Sequence, residues 1–245
     1  MLTAPTMEKL HSLRLDAMAS SYAEQQRAPD LTGLAFDERF GMLVDAECLA
    51  RDNRRVTARL REAKLKLPQA SIEDIDYEPR RRLDRAAIRQ LATCRWIEEH
   101  HNVLITGLTG TGKSYFACAL GTQACRRGYR VLYYRTSRLF DDFVLARATG
   151  GHVRLLGKLA RMDVLIIDDW GLRPLAEQDR HDLLEVFEDR YDLRSTIMTS
   201  QLEPEKWYEQ IGEPTMADAI LDRVVHRAHR LELKGPSRRK ENPKS

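Results

Sequence analysis

Apolar positions fall into two regimes along the chain. Up to about residue 67 they recur at helical spacing. Leu10, Leu13, Met18 and Tyr22 form one rough stripe, which Pro29-Asp30 interrupts. A second helix is expected from Phe36 to Leu49. A third continues to Leu67, with Val56, Leu60, Ala63 and Leu67 on one face, and Pro68 is expected to end it. An acidic stretch, Ile72-Glu73-Asp74-Ile75-Asp76, then leads through Arg80-Arg81-Arg82 to a helix up to Trp96.

From Asn102 onward, short strand segments alternate with helical ones. The strands are expected at 102–106, 131–134, 164–168, 196–200 and 230–233. Helices are expected over about 113–127, 137–149, 152–161, 177–192, 204–210 and 214–226. Strands alternating with helices imply a parallel sheet wrapped by helices, an α/β fold. The pattern divides the chain into an N-terminal helical part (1–67), a linker with a leading helix (68–101), a core (102–234) and a basic tail (235–245).

The junction of the first strand and its helix carries the most informative residues. Gly107-Leu108-Thr109-Gly110-Thr111-Gly112-Lys113-Ser114 fits G-x-x-x-x-G-K-[ST], the P-loop. Glycines let the backbone turn tightly, so its N–H groups and the following helix N-terminus cradle phosphates. Lys113 is placed to reach the β- and γ-phosphates, and the Ser114 hydroxyl to hold Mg2+. The cofactors expected are therefore ATP and Mg2+. Downstream, Val164-Leu165-Ile166-Ile167-Asp168-Asp169 buries a strand and delivers two carboxylates at its C-terminal end, where open α/β sheets bind ligands. Asp168 is expected to hold Mg2+ and Asp169 to orient or deprotonate the attacking water. Ser200-Gln201 ends the fourth strand, and is either a γ-phosphate contact or a polar strand end. Arg223 is either a surface arginine or a guanidinium delivered to a neighbouring subunit's γ-phosphate. Trp96, Trp170 and Trp207 read as packing residues.

Charge adds a second partner. The chain of 245 residues has net charge +3 and 42% apolar residues, ordinary for a globular protein. Residues 51–66 carry +5 and residues 223–245 carry +6, which leaves −8 on the rest. Two such segments beside a P-loop point to nucleic acid; the alternative is two solvated faces. Arg51, Arg54, Arg55, Arg59, Arg61 and Lys64 are the candidate phosphate contacts, with Arg51, Arg55 and Arg59 four apart on one helical face. No apolar run approaches the length of a membrane span. Cys48, Cys94, Cys118 and Cys125 show no C-x-x-C spacing, which fits reduced, mostly buried thiols in a cytoplasm. The His226/His229 and His100-His101 pairs lack matching carboxylates or thiols, so they do not read as a metal site.

The order and spacing of these motifs resemble the IstB-like ATPases, transposition helper proteins of bacterial insertion sequences. The match is carried by Ile105 through Ser114, Ile166-Ile167-Asp168-Asp169-Trp170-Gly171-Leu172, Thr199-Ser200-Gln201-Leu202 with Lys206-Trp207, Ala219-Ile220-Leu221-Asp222-Arg223, and Gly235-x-Ser237-x-Arg239. The resemblance implies an AAA+ P-loop NTPase, close to the helicase loader DnaC, with a five-stranded parallel sheet in the order 5-1-4-3-2. In it Lys113 and Ser114 take the Walker A places and Asp168 and Asp169 the Walker B places. Gln201 takes the sensor 1 place, Arg223 the arginine-finger place and Arg239 the sensor 2 place. It further implies an ATPase that self-assembles on duplex DNA with little sequence preference, in rings or helices that clamp the duplex, and that activates a partner transposase, IstA. The alternative is a DnaC-like loader of a replicative helicase. Two residues depart from the family pattern. Asp169 stands where AAA+ proteins usually have Glu, which implies slow turnover, and Pro236 stands where Glu is expected. The chain also stops soon after the fifth strand, so the helical lid of most AAA+ proteins is expected to be missing.

Overall fold

The computed structural model describes residues 3–77 and 83–235. It divides into two compact units, Met1–Ala58 and Arg59–Ser245. The division lies earlier than residue 67, so the stretch 59–67 belongs with the larger unit.

In the smaller unit, α1 (Thr3–Ser12) and α2 (Asp16–Arg27) precede α3 (Phe36–Ala63), which runs on past Ala58. Two polar side chains tie this unit together from inside. The Glu47 carboxylate accepts from the Ala17 and Met18 N–H groups at 3.0 and 3.2 Å, and so serves as the missing cap of α2. Gln25 donates to the Arg39 carbonyl at 2.9 Å.

The two helices expected between Phe36 and Leu67 are one helix of 28 residues. No proline or glycine stands between Met42 and Ala63, and Ala, Leu, Glu and Arg dominate, so nothing breaks it. It also ends before Pro68. Lys64 takes a left-handed φ of 51°, which turns the chain out of the helix. The helix expected up to Trp96 is likewise divided, into α4 (Arg85–Ala92) and α5 (Arg95–Glu98), by Cys94 at φ 62°. Asp84 caps α4 by accepting from Ala86 and Ala87 N–H groups.

The larger unit is built on five parallel strands, β1 (Asn102–Gly107), β2 (Val131–Arg135), β3 (Val164–Trp170), β4 (Ser195–Ser200) and β5 (Ala228–Leu233). Their order is β2-β3-β4-β1-β5, the order the family resemblance implied. Between them run α6 (Lys113–Arg126), α7 (Thr136–Ala148), α8 (His152–Ala160), α9 (Glu177–Arg190), α10 (Trp207–Ile211) and α11 (Pro214–Val225).

Period-2 alternation explains the layers. Val103, Ile105, Val131, Tyr133, Val164, Ile166 and Ile197 face one side, under α6 and residues from Ala63, Leu65, Ala70, Ile88, Leu91 and Trp96. Leu104, Leu132, Leu165, Ile167 and Met198 face the other, under α7 to α11. Both faces are covered, so the apolar stretches of β1 and β3 run without alternation. The stretch 68–101 thus supplies part of a layer. All three tryptophans are buried, and Trp170 and Trp207 pack with ring centroids 5.8 Å apart.

Asn102 pins the lower edge of the sheet. Its Nδ2 donates to the Arg223 and Val224 carbonyls at 3.1 and 3.0 Å, and its Oδ1 accepts from Thr196 N–H at 2.8 Å. Asn102→Ala leaves all three partners inside the protein unpaired. Urea unfolding should register a loss of about 3 kcal/mol, given ~1–3 kcal/mol per stranded buried group.

Candidate functional site: a phosphate cradle facing two carboxylates

The P-loop joins β1 to α6 in the required setting. Gly107, Gly110 and Gly112 have φ of 145°, 86° and 100°, values that side chains rarely adopt. Gly107 is constrained twice, since a Cβ there would also collide with the Leu233 carbonyl of β5. Lys113 opens α6 and is buried. Its Nζ donates to the Gly107 and Leu108 carbonyls at 2.7 and 2.9 Å, across the mouth of the loop.

Opposite the loop lies the C-terminal end of β3. The Ser114 Oγ sits 2.8 Å from both carboxylate oxygens of Asp168. Asp168 has no exposed surface and collects donors from every side. Tyr133 of β2 donates from its hydroxyl at 2.6 Å, Thr199 of β4 at 2.5 Å, and Lys66 places its Nζ 3.3 Å away. Burial alone would raise this carboxyl's pKa. The hydrogen bonds from Thr199, Tyr133 and Ser114 and the Lys66 charge outweigh it, so Asp168 titrates below the usual carboxylate range and stays ionised.

The neighbouring Asp169 differs in every respect. It has φ 64°, in a register shift between β3 and β4. The shift turns successive carboxylates to different partners: Asp169 N–H donates to Thr199 Oγ1 at 3.0 Å, and its carboxylate pairs with Arg135 Nε at 2.9 Å. That Arg135 is half exposed. Gln201, just past β4, accepts from the Thr109 hydroxyl at 2.8 Å and so is tied to the loop. Ser200 is spent on structure, donating to the Trp170 carbonyl at 2.9 Å.

Lys66, Thr109, Lys113, Ser114, Asp169 and Gln201 share one cleft of about 280 Å3, with Asp168 buried behind Ser114. A hydroxyl and an ionised carboxylate in contact suit Mg2+, which uses few protein ligands and completes its shell with water and phosphate oxygens. Ser114 and Asp168 are the residues that can hold it.

Arg223 is elsewhere. Its backbone carbonyl bonds to Asn102 at the start of β1, whereas the P-loop follows Gly107 at the strand's end, about 16 Å away at ~3.3 Å per residue. Its guanidinium pairs with Glu188 of α9 and donates to the Ala219 carbonyl at 2.8 Å. The structure therefore does not bring Arg223 to the chain's own phosphate site. Arg239, Pro236 and any lid after β5 lie outside the described residues.

Of the basic set, Arg51 and Arg54 share Glu47 and Arg55 pairs with Asp52. Among the described residues, Arg59, Arg61 and Lys64 have no acidic partner. Sequence reading gave no site role to Tyr133, Thr199, Arg135 or Lys66. The signal available for the first three was strand order, because in a parallel sheet the C-terminal ends of β2, β3 and β4 converge on the ligand.

No helix among the described residues is long and apolar enough to cross a membrane. Among solved structures, the chain is similar to DnaI, at 20% identity with TM-score 0.59 over 68% of this chain and 92% of that one. It is also similar to the DnaC helicase loader, at 19% identity with TM-score 0.56 over 67% and 97%. These likenesses show an AAA+ P-loop fold. An insertion sequence ATP-binding protein of Sinorhizobium fredii is 50% identical over 98% of both chains. The IS1162 ATP-binding protein of Pseudomonas fluorescens is 50% identical over 82% of this chain and 87% of that one. Residues 8–245 match the family described as IstB-like ATP binding protein, and the chain belongs to that family of insertion sequence ATP-binding proteins.

Proposed function

We propose that this chain is an ATP-hydrolysing transposition helper that assembles on duplex DNA and recruits or activates a partner transposase, IstA in this family's scheme, at target DNA. The observation that carries the ATPase half is the meeting of Ser114 and the ionised Asp168 at the mouth of the P-loop, with a second carboxylate beside it. In this reading the P-loop amides from Gly107 to Gly112 and Lys113 bind the triphosphate. Ser114 and Asp168 would hold Mg2+, which would supply positive charge against the phosphates. Asp169 takes up or aligns the attacking water, and Gln201 reports on the γ-phosphate through its tie to Thr109.

The position of Arg223 supports assembly. Among the described residues no arginine lines the phosphate cleft, and a second copy can supply one. ATP hydrolysis should therefore rise with protein concentration, and an Arg223→Ala chain should bind ATP yet hydrolyse it poorly at every concentration. Turnover independent of both would remove the arginine from the reaction.

The basic residues of α3 and its end, Arg51, Arg54, Arg55, Arg59, Arg61 and Lys64, support DNA contact. Phosphate contacts give affinity and salt dependence rather than sequence choice. Charge reversal at Arg55 and Arg59 should weaken binding on every duplex and lower the salt slope by about 2. Equal binding at matched salt would sink the assignment. Arg59 should matter more, because Arg55 is already paired with Asp52.

The transposase half rests on the relatives that are half identical and named for insertion sequences. The likeness to DnaC and DnaI concerns fold, and so makes the helicase loader the second reading. Hydrolysis assays with and without duplex DNA, alongside mass by light scattering, test the first reading. A monomer whose turnover ignores DNA would refute it. Co-precipitation with a transposase or with a replicative helicase separates the two.

A further inference from the structure

Asp168 is surrounded by four donors, and they are not equivalent. Tyr133 and Thr199 are buried on the neighbouring strands β2 and β4 and are neutral. Ser114 lies in the first turn of α6 and would itself be a metal ligand in the proposed function. The fourth, Lys66, comes from the short segment that follows the left-handed turn at Lys64. Its side chain is 40% exposed, and it lines the nucleotide cleft with Leu67. It is also the only cation of the four, and its Nζ lies 3.3 Å from the Asp168 Oδ2.

A divalent cation bound by Ser114 and Asp168 would meet this ammonium at close range. Two cations cannot share one carboxylate without mutual repulsion in a partly buried site. Of these four donors, Lys66 alone is both charged and partly exposed, so it can swing toward solvent. Resting on the proposed Mg2+–ATP reading of the cleft, we propose that Lys66 is a built-in competitor of the divalent cation: it holds Asp168 while the site is empty and is displaced when Mg2+ arrives with the triphosphate. Lys66 is thus a positioning residue. Its release makes the Lys64–Leu67 segment, which directly follows the basic helix α3, responsive to the nucleotide.

The test is a MgCl2 titration of binding to a ribose-labelled fluorescent ATP, in wild type, Lys66→Met, Lys66→Arg, Asp168→Asn and the Lys66→Met/Asp168→Asn double variant. Lys66→Met should lower the half-saturating Mg2+ concentration about tenfold, the scale of losing one partly exposed ion pair to a buried carboxylate. Lys66→Arg keeps the charge and should keep the wild-type Mg2+ requirement. In the Asp168→Asn background the Lys66→Met effect should vanish. An unchanged Mg2+ requirement in Lys66→Met would overturn the proposal while leaving the metal site standing, provided wild type needs Mg2+ and Asp168→Asn loses that need. A raised requirement would overturn it too, and make Lys66 a phosphate ligand. Wild-type binding that ignores Mg2+ would overturn both readings.

Discussion

Lys113→Ala should abolish nucleotide binding at any practical concentration. The ammonium is buried at the start of α6 and spans the loop between the Gly107 and Leu108 carbonyls, 2.7 and 2.9 Å away. A triphosphate entering the cradle trades those neutral partners for charged oxygens, so the lysine contributes more to the complex than to the empty protein. Removing one partner of such a desolvated charge pair costs about 3–5 kcal/mol, on the order of a hundredfold to several thousandfold in Kd. The cleft lining offers one other cation, Lys66, and that one sits against Asp168. Calorimetric titration with ATP checks this. Thermal unfolding of the free variant should move little, since the loop carbonyls it leaves can turn to water in the cleft. A variant that still binds ATP within tenfold of wild type would show that the backbone amides suffice.

The half of the site that is contiguous in sequence could be read without coordinates. Gly107 to Ser114 follow one another, and their chemistry depends on local backbone turns that glycine spacing reveals. The strands were readable for a related reason: Val164 to Ile167 must be apolar throughout because both sheet faces are covered. The other half depends on register. Tyr133 and Thr199 reach Asp168 because β2 and β4 flank β3 in a particular alignment, and no periodicity within either strand encodes it. Lys66 is further removed still. Its place at Asp168 follows from a helix that ends at Lys64 and not at Pro68, and a left-handed lysine carries no sequence mark. Arg223 shows the opposite case. Its motif was legible, but the fold sends it to the far end of β1. A role at the phosphate therefore requires a second chain.

Asp169→Asn should leave ATP bound and reduce its hydrolysis by at least about a hundredfold, the low end of what a positioned acid–base group contributes. The substitution isolates chemistry from folding unusually well. Asp169 holds φ 64°, a conformation that Asn and Asp tolerate and longer side chains resist. The same constraint gives a physical reason for the short carboxylate at a place where a glutamate was expected: the register shift between Ile167 and Trp170 places Asp169 in a left-handed conformation. Asp169→Glu should accordingly lose stability, about 1 kcal/mol for the strained backbone, rather than gain speed. The carboxylate is not idle in the free chain, because Arg135 holds it at 2.9 Å. That pair is half exposed on the arginine side and worth ~0–1 kcal/mol, so it can open when water and a γ-phosphate compete for Asp169. Arg135→Ala should therefore raise basal hydrolysis several-fold, and do so only while Asp169 is intact. The Asp169→Asn chain, which binds but does not turn over, should accumulate as the ATP-bound assembly on duplex DNA, visible as a larger mass by light scattering. If Asp169→Asn hydrolyses ATP at the wild-type rate, the water is prepared by another group, and Gln201, tied to the loop through Thr109, becomes the residue to replace next.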